Sequence, residues 1–224
     1  YFLPEFKTHF NLQIRKELDS EKQKLIEKGS TETNNTELFE KNRQIGENDI
    51  EYCQLIRQDS LDDFITYVNT TNLPLTTEIK PSIFETNSFL LKRKPTLIEY
   101  ATFYGSINIF KYLHQNQVEL TPSLWLYAVH GQNIDLLKIL QENQIKPQDE
   151  SYRQCFLESI KCHHFEISEY IMTNLLKPKK DDFGPFVKSL QVYNIKFMPK
   201  EKDTEFNIFY DFCQANSILL HMIM

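Results

Sequence analysis

Thr96-Leu-Ile-Glu-Tyr-Ala-Thr-Phe-Tyr-Gly-Ser-Ile-Asn-Ile-Phe-Lys-Tyr-Leu113 is followed, 27 residues on, by a second version of the same pattern, Ser123-Leu-Trp-Leu-Tyr-Ala-Val-His-Gly-Gln-Asn-Ile-Asp-Leu-Leu-Lys-Ile-Leu140. Tyr-Ala aligns with Tyr-Ala, and the isoleucine, lysine and leucine positions that follow also align. Each copy reads as a short apolar helix, a polar turn and a second, amphipathic helix. The pattern therefore predicts a helical hairpin that occurs at least twice.

Two further copies flank this pair, at Ile50–Tyr67 and Gln154–Ile171, and a weak last copy starts near Ile208. Helical hairpins that recur about every thirty residues indicate a solenoid, in which each unit covers the apolar face of its neighbour. The predicted fold is therefore all-α: a solenoid of four to five helical hairpins behind an N-terminal helical segment.

The repeat divides the chain into a helical segment at residues 1–47 and a repeat domain at residues 48–224. The first segment is predicted as a helix over residues 4–28, a polar break at 29–36 and one or two further turns. Within the domain, residues 68–93 carry Thr, Asn and Pro with little helical period, which predicts an irregular insertion. The apolar run that ends at Met224 has no helix stop signal, so we expect the natural chain to continue.

Composition excludes several classes of protein. The net charge of −6, with 41% apolar and 25% charged residues, is typical of a soluble globular chain and gives no reason to expect nucleic acid as the main partner. No apolar run approaches the ~20 residues of a membrane-spanning helix. Four cysteines lie far apart without C-x-x-C spacing, which favours reduced thiols and a cytoplasmic location.

The repeats resemble degenerate ankyrin repeats. Thr96-Leu-Ile-Glu-Tyr-Ala101 stands where ankyrins have T-P-L-H-x-A, and the segment that starts at Gly105 is similar to their second motif. The strings Lys94-Pro-Thr-Leu-Ile-Glu-Tyr-Ala101, Leu120-Thr-Pro-Ser-Leu-Trp125 and Ser159-Ile-Lys-Cys-His-His164 resemble a large family of divergent ankyrin-domain proteins, expanded in parasitic flagellated protists, that carries a domain of unknown function. This resemblance implies a protein-interaction scaffold with no known catalysis.

Residues that could carry chemistry have simpler structural roles. Cys155, Cys162, His163 and His164 could suggest zinc, but adjacent histidines diverge at a helix start, so His164 is expected to cap backbone groups in the turn. Cys53 has no oxyanion-hole motif beside it and is expected in the core. We therefore predict no catalytic residue, no metal and no cofactor. Trp125 is expected to anchor the core between the helices.

One stripe of residues keeps a binding role. In each first helix, the residue before the alanine position and those two and three after it share a face, because spacings of three and four coincide on a helix. The middle of the stripe is aromatic and its ends are polar, as in an interface core with a wet rim. The resemblance implies that this face lines a concave groove. The predicted partner-binding residues are Arg57, Gln58, Tyr100, Phe103, Tyr104, Tyr127, His130, Glu158 and Lys161, and the same stripe includes Gln54, Gly131 and Cys162.

Two alternatives stay open for that stripe: a protein partner covers the aromatic residues, or the insertion at 68–93 folds back over them. An aromatic patch of this size is costly to leave in water. The predicted function is a scaffold that presents a concave helical groove to a protein partner. The alternative is a structural spacer locked inside a large cytoskeletal or other multiprotein assembly. The partner's identity and the oligomeric state do not follow from the sequence.

Overall fold

A computed structural model describes residues 32–176 and 184–194 of the chain, and within these ranges the regular structure is helical. The helices are α1 Glu32–Ile45, α2 Glu51–Arg57, α3 Leu61–Thr71, α4 Ser88–Leu91, α5 Leu97–Tyr104, α6 Ile107–Gln115, α7 Leu124–His130, α8 Ile134–Glu142, α9 Arg153–Lys161, α10 Phe165–Asn174 and α11 Gly184–Gln191. An isolated β-bridge joins Glu78 to Thr96. The predicted all-α class is confirmed.

The helices pair into hairpins that follow the repeat. The pairs α2–α3, α5–α6, α7–α8 and α9–α10 pack within each copy, and the first helices of the copies contact one another in the order α2, α5, α7, α9, α11. We call these five the inner helices. Each hairpin thus covers the apolar side of the next one, as the sequence repeat predicts.

In every described turn that follows an inner helix, the middle residue has a positive φ and so adopts the left-handed backbone conformation. The N–H after it then bonds back to a carbonyl in the last turn of the inner helix, which satisfies a group that the helix end leaves open. The positive-φ residues are Asp59, Gly105, Gln132, His163 and Tyr193.

The left-handed Tyr193 and the packing of α11 against α9 put α11 in the position of a fifth inner helix. The sequence repeat placed the weak last copy near Ile208, which lies outside the described residues. It did not recognise α11, because Gly184 and Pro185 hide the apolar pattern of that helix.

In three of the copies, the residue after the left-handed position ties its turn to the preceding inner helix. Ser106 Oγ donates to the carbonyl oxygen of Ile56. His164 Nδ1 donates to the carbonyl oxygen of Val129 at 2.8 Å, and Asn194 Nδ2 donates to that of Ile160 at 2.9 Å. The expected backbone-capping role of His164 is confirmed. These bonds fix the register between successive hairpins.

The core lies between the two layers of helices. Trp125 is fully buried, and its Nε1 donates to the carbonyl oxygen of Ile145 at 2.8 Å. Cys53, which was predicted in the core, is also fully buried, and so are the repeat alanines Ala101 and Ala128. The alanines leave room for close helix packing, so a larger side chain at either site would overpack it.

Two predicted boundaries are wrong. Helix α1 begins at Glu32, inside the predicted polar break at 29–36, so the Asn and Thr residues there belong to the helix and not to a loop. Helix α3 continues to Thr71, so the irregular part of the insertion begins only at Asn72. The predicted helix at 4–28 lies outside the described residues.

In the part of the chain that the structure describes, we find no helix with both the length and the apolar character needed to cross a membrane.

Gly131 allows the closest approach between hairpins, and its replacement tests the stacking. A Cβ atom built at Gly131 would lie 2.1 Å from the carbonyl oxygen of Phe103 in the preceding inner helix. Because this neighbour is backbone, Gly131→Ala should lower the free energy of unfolding by about 1–3 kcal/mol, measured by urea denaturation. The matched control is Gln132→Gly, which relaxes a left-handed residue and should leave stability unchanged or higher. Equal stability of Gly131→Ala and wild type would contradict the close approach.

Candidate functional site

The insertion is held against the stack by backbone hydrogen bonds at several points. Thr86 N donates to the carbonyl oxygen of Gly46 at 2.9 Å, and Ile79 N donates to that of Pro95 at 2.7 Å. Asn87 then starts α4, because its Oδ1 accepts from the N–H groups of Phe89 and Leu90. This capped turn fixes the direction in which α4 presents its side chains.

Phe89 of α4 covers the aromatic stripe. Its ring stacks on the His130 imidazole with centroids 3.7 Å apart, and it meets Tyr127 edge-on at 5.0 Å. It also lies parallel to the Phe103 ring at 6.0 Å. Of the two alternatives left open by the sequence, the structure therefore shows the insertion folded over the aromatic residues. Phe89 itself is 6% exposed.

Tyr100 and Tyr127 are buried, at 1% and 3% exposure. Their burial raises the pKa of both phenols above the ordinary value, since an ionised phenolate would lose its hydration there. These two predicted partner-binding residues therefore have almost no surface for a partner to contact. Tyr127 packs against Phe89 of α4, and the Tyr100 hydroxyl accepts a hydrogen bond from Arg57.

Arg57 lies at the other end of the stripe and is engaged within the chain. Its Nη1 donates to the Tyr100 hydroxyl at 2.9 Å, and its Nε pairs with the Glu47 carboxylate at 2.7 Å. Its guanidinium also lies over the Tyr104 ring, 5.8 Å from the centroid. Tyr104 is half-buried and Gln58 is exposed. This end of the stripe is thus a paired polar cluster, in which Gln54 and Gln58 are exposed to solvent.

The rest of the stripe lines an open groove between α4 and the inner helices α7 and α9, which we call the α4 groove. Its volume is about 590 Å³. Four of the predicted residues meet here: Phe103, His130, Glu158 and Lys161. The other lining residues are Asn87, Ser88, Phe89, Lys92, Arg93, Leu126, Gln154, Cys162 and His164.

His130, Glu158 and Cys162 form a compact cluster at the base of the groove. His130 ends α7, while Glu158 and Cys162 lie four residues apart in the last turn and at the C-cap of α9, and so share a face. His130 Nε2 donates to Glu158 Oε1 at 2.8 Å. The thiol of Cys162 lies 3.5 Å from Nδ1 of the same ring. Lys161 Nζ donates to Glu158 Oε1 at 2.5 Å.

Within the cluster, the pKa of Glu158 is lowered and the pKa of Cys162 is raised. The hydrogen bond from His130, reinforced by the Lys161 ammonium, lowers the pKa of Glu158 to about 2. Burial, together with the negative charge of Glu158, raises the pKa of Cys162 to about 11. The carboxylate is therefore ionised near neutral pH, while the thiol keeps its proton.

The thiol, imidazole and carboxylate lie in the order of a nucleophilic triad, but the electrostatics oppose that role. A catalytic cysteine needs a lowered pKa, commonly from a helix N-terminus or a neighbouring cation. Cys162 instead lies at the C-terminal end of α9, where the helix dipole is negative. The raised pKa of Cys162 and its place at a helix C-terminus therefore give no support for nucleophilic attack by this sulfur.

Sequence reasoning placed these residues on one face but missed how they are combined. It weighed Cys162 with Cys155, His163 and His164, whereas the structure joins Cys162 to His130 and Glu158, and buries Cys155. It also missed Phe89. The sequence did contain a pattern that predicts α4. Asn87 stands two residues before the apolar Phe89-Leu-Leu91, and an Asn in that place is typical of a helix N-cap.

No protein-family model matches this chain, no curated protein matches its sequence, and no solved structure matches its fold. The functional argument therefore depends on the residues of the α4 groove. The ankyrin resemblance remains a prediction.

Removing the Phe89 ring tests whether α4 covers the stripe. Phe89→Ala should lower the free energy of unfolding by about 3 kcal/mol, since it empties a buried site among three aromatic neighbours. It should also speed trypsin cleavage between residues 72 and 95. The matched control is Leu91→Ala in the same helix, because Leu91 is 56% exposed. If both variants melt and cleave alike, Phe89 does not hold the segment in place.

Proposed function

We propose that this chain is a protein-interaction scaffold of the ankyrin type, which binds an acidic segment of a protein partner in the α4 groove. The observation that carries the proposal is the open groove itself, lined by Lys92, Arg93 and Lys161. The hairpin stack and its recurring left-handed turns support the assignment to the ankyrin type.

Charge favours an acidic occupant. Among the described residues that line the groove, these three cations face one carboxylate, Glu158, which already pairs with His130 and Lys161. The chain as a whole carries a net charge of −6, so this excess of positive charge is local. A partner segment rich in Asp or Glu would be steered to the groove and away from the rest of the surface.

Apolar contacts between the groove and the acidic segment are needed as well, because exposed charges alone contribute little binding free energy. A surface ion pair is worth only about 0.2–1 kcal/mol, so the cations mainly set orientation and association rate. Leu126 and Phe103 are half-buried in the groove wall and offer apolar surface to a bulky partner side chain. The proposed ligand is therefore an acidic segment with at least one large apolar residue.

A photo-crosslinking amino acid at Gln154, which is exposed on the groove wall, tests this proposal. The probe is a library of synthetic ten-residue peptides that range from acidic to basic, each with one Leu or Phe. We expect acidic peptides to crosslink at this position more strongly than basic ones, with a yield that falls as salt is added. The matched control places the crosslinker at Lys111, an exposed residue of α6 outside the groove.

Lys92→Glu should reduce crosslinking of the acidic peptides at Gln154 by roughly three- to tenfold, because it replaces an attractive charge with a repulsive one. Lys111→Glu makes the same change in net charge and should have little effect. Equal yields at the two crosslinker positions, or a preference for basic peptides, would contradict the groove and favour the spacer alternative.

A further inference from the structure

The base of the α4 groove combines three side chains that bind transition metals. His130, Glu158 and Cys162 each offer one ligand atom, and these atoms all lie within 4.8 Å of one another. We propose that they form a binding site for a divalent ion of the zinc class, with a fourth coordination position open to the groove. This proposal does not depend on the scaffold function, because the ligands are identified by their chemistry and not by the groove's charge.

The donor set and spacing suit zinc. A nitrogen, a carboxylate oxygen and a thiolate sulfur are the ligand types that Zn²⁺ takes in proteins, and at tetrahedral angles they lie about 3.4–3.6 Å apart. Cys162 Sγ is 3.9 Å from His130 Nε2, and Nε2 is 2.8 Å from Glu158 Oε1. Opening the second distance by about half an ångström gives the zinc spacing. The metal would then lie where the proton now joins Nε2 to Oε1.

Electrostatics at this point favour a cation over a nucleophilic thiol. The Glu158 carboxylate and the C-terminal carbonyl groups of α9 both place negative potential on Cys162. That potential disfavours an uncompensated thiolate, whereas a divalent ion would stabilise it. With Cys162 ionised, the thiolate and carboxylate together balance the charge of the ion.

Proton release accompanies binding. The Cys162 thiol must lose its proton to solvent before the sulfur can bind the ion as a thiolate, and Nε2 of His130 must give up the proton that it donates to Glu158. The ion must also displace the Lys161 ammonium, now 2.5 Å from Glu158 Oε1. Lys161 is 47% exposed and can turn into water. With Lys92 and Arg93 lining the same groove, we expect micromolar affinity and not the tighter binding of a closed structural site.

Phe89 holds the histidine in the orientation that the site needs. Its ring lies 3.7 Å from the imidazole centroid at an interplanar angle of 26°, so it covers one face of the ring and leaves the in-plane nitrogens accessible. A zinc ion held by three protein ligands keeps a fourth position for water or another ligand, whereas a structural zinc site is closed by four protein ligands. The groove contributes the open side, where water or a donor atom from a bound ligand completes the coordination.

Titration of the whole chain with Co²⁺ and Zn²⁺ tests the proposal. Co²⁺ reports the ligands through a sulfur-to-cobalt charge-transfer absorption, and Zn²⁺ binding is measured by calorimetry. We expect one equivalent to bind, with loss of the cobalt–sulfur absorption in Cys162→Ser and at least about tenfold weaker zinc binding in His130→Gln and Glu158→Gln. Circular dichroism melting confirms that each variant is folded.

His163→Gln is the matched control, because His163 is an exposed neighbour of Cys162 that lies outside the cluster. It should bind zinc like the wild type. Wild-type protein that binds neither ion at high micromolar concentration would overturn the proposal. So would wild-type binding that Cys162→Ser leaves unchanged.

Discussion

The contact between one hairpin turn and the preceding inner helix sets the geometry of the whole stack. At Gly131 the backbone comes so close to the Phe103 carbonyl that no Cβ atom fits. In other copies a side chain after the left-handed residue donates to the preceding helix, as His164 does to Val129. Because helix ends otherwise leave carbonyl groups unpaired, this contact both aligns the hairpins and satisfies the backbone. The shape of the α4 groove depends on that alignment, because α7 and α9 form two of its sides.

Stacking brings the ends of α7 and α9 side by side, and α4 then divides the face that they present. Phe89 covers the apolar aromatic rings, which would otherwise be exposed to water. The polar remainder stays open as the α4 groove, with His130, Glu158 and Cys162 at its base. The short helix α4 thus divides the stripe into rings that Phe89 buries and polar residues that line the α4 groove and are available for binding.

The repeat predicted the helix class, the hairpin order and core positions such as Trp125, because each depends on local spacing that recurs along the chain. It also placed His130 and Glu158 on one face. It could not predict that Phe89 of α4 covers Tyr127 and His130, since that contact joins segments with no shared period. The pairing of Cys162 with His130 was hidden for the same reason: the two residues lie in different copies and approach only after stacking.

The position of Phe89 against the inner helices is the central claim, and NMR tests it directly on protein with labelled aromatic rings. We expect nuclear Overhauser contacts from the Phe89 ring to the rings of His130 and Tyr127, whose centroids lie 3.7 and 5.0 Å away. Contacts between Phe103 and Tyr104, neighbours within α5 at 5.0 Å, serve as the internal standard. If the standard contacts are present and those from Phe89 are absent, α4 does not cover the stripe and the account of the groove is wrong.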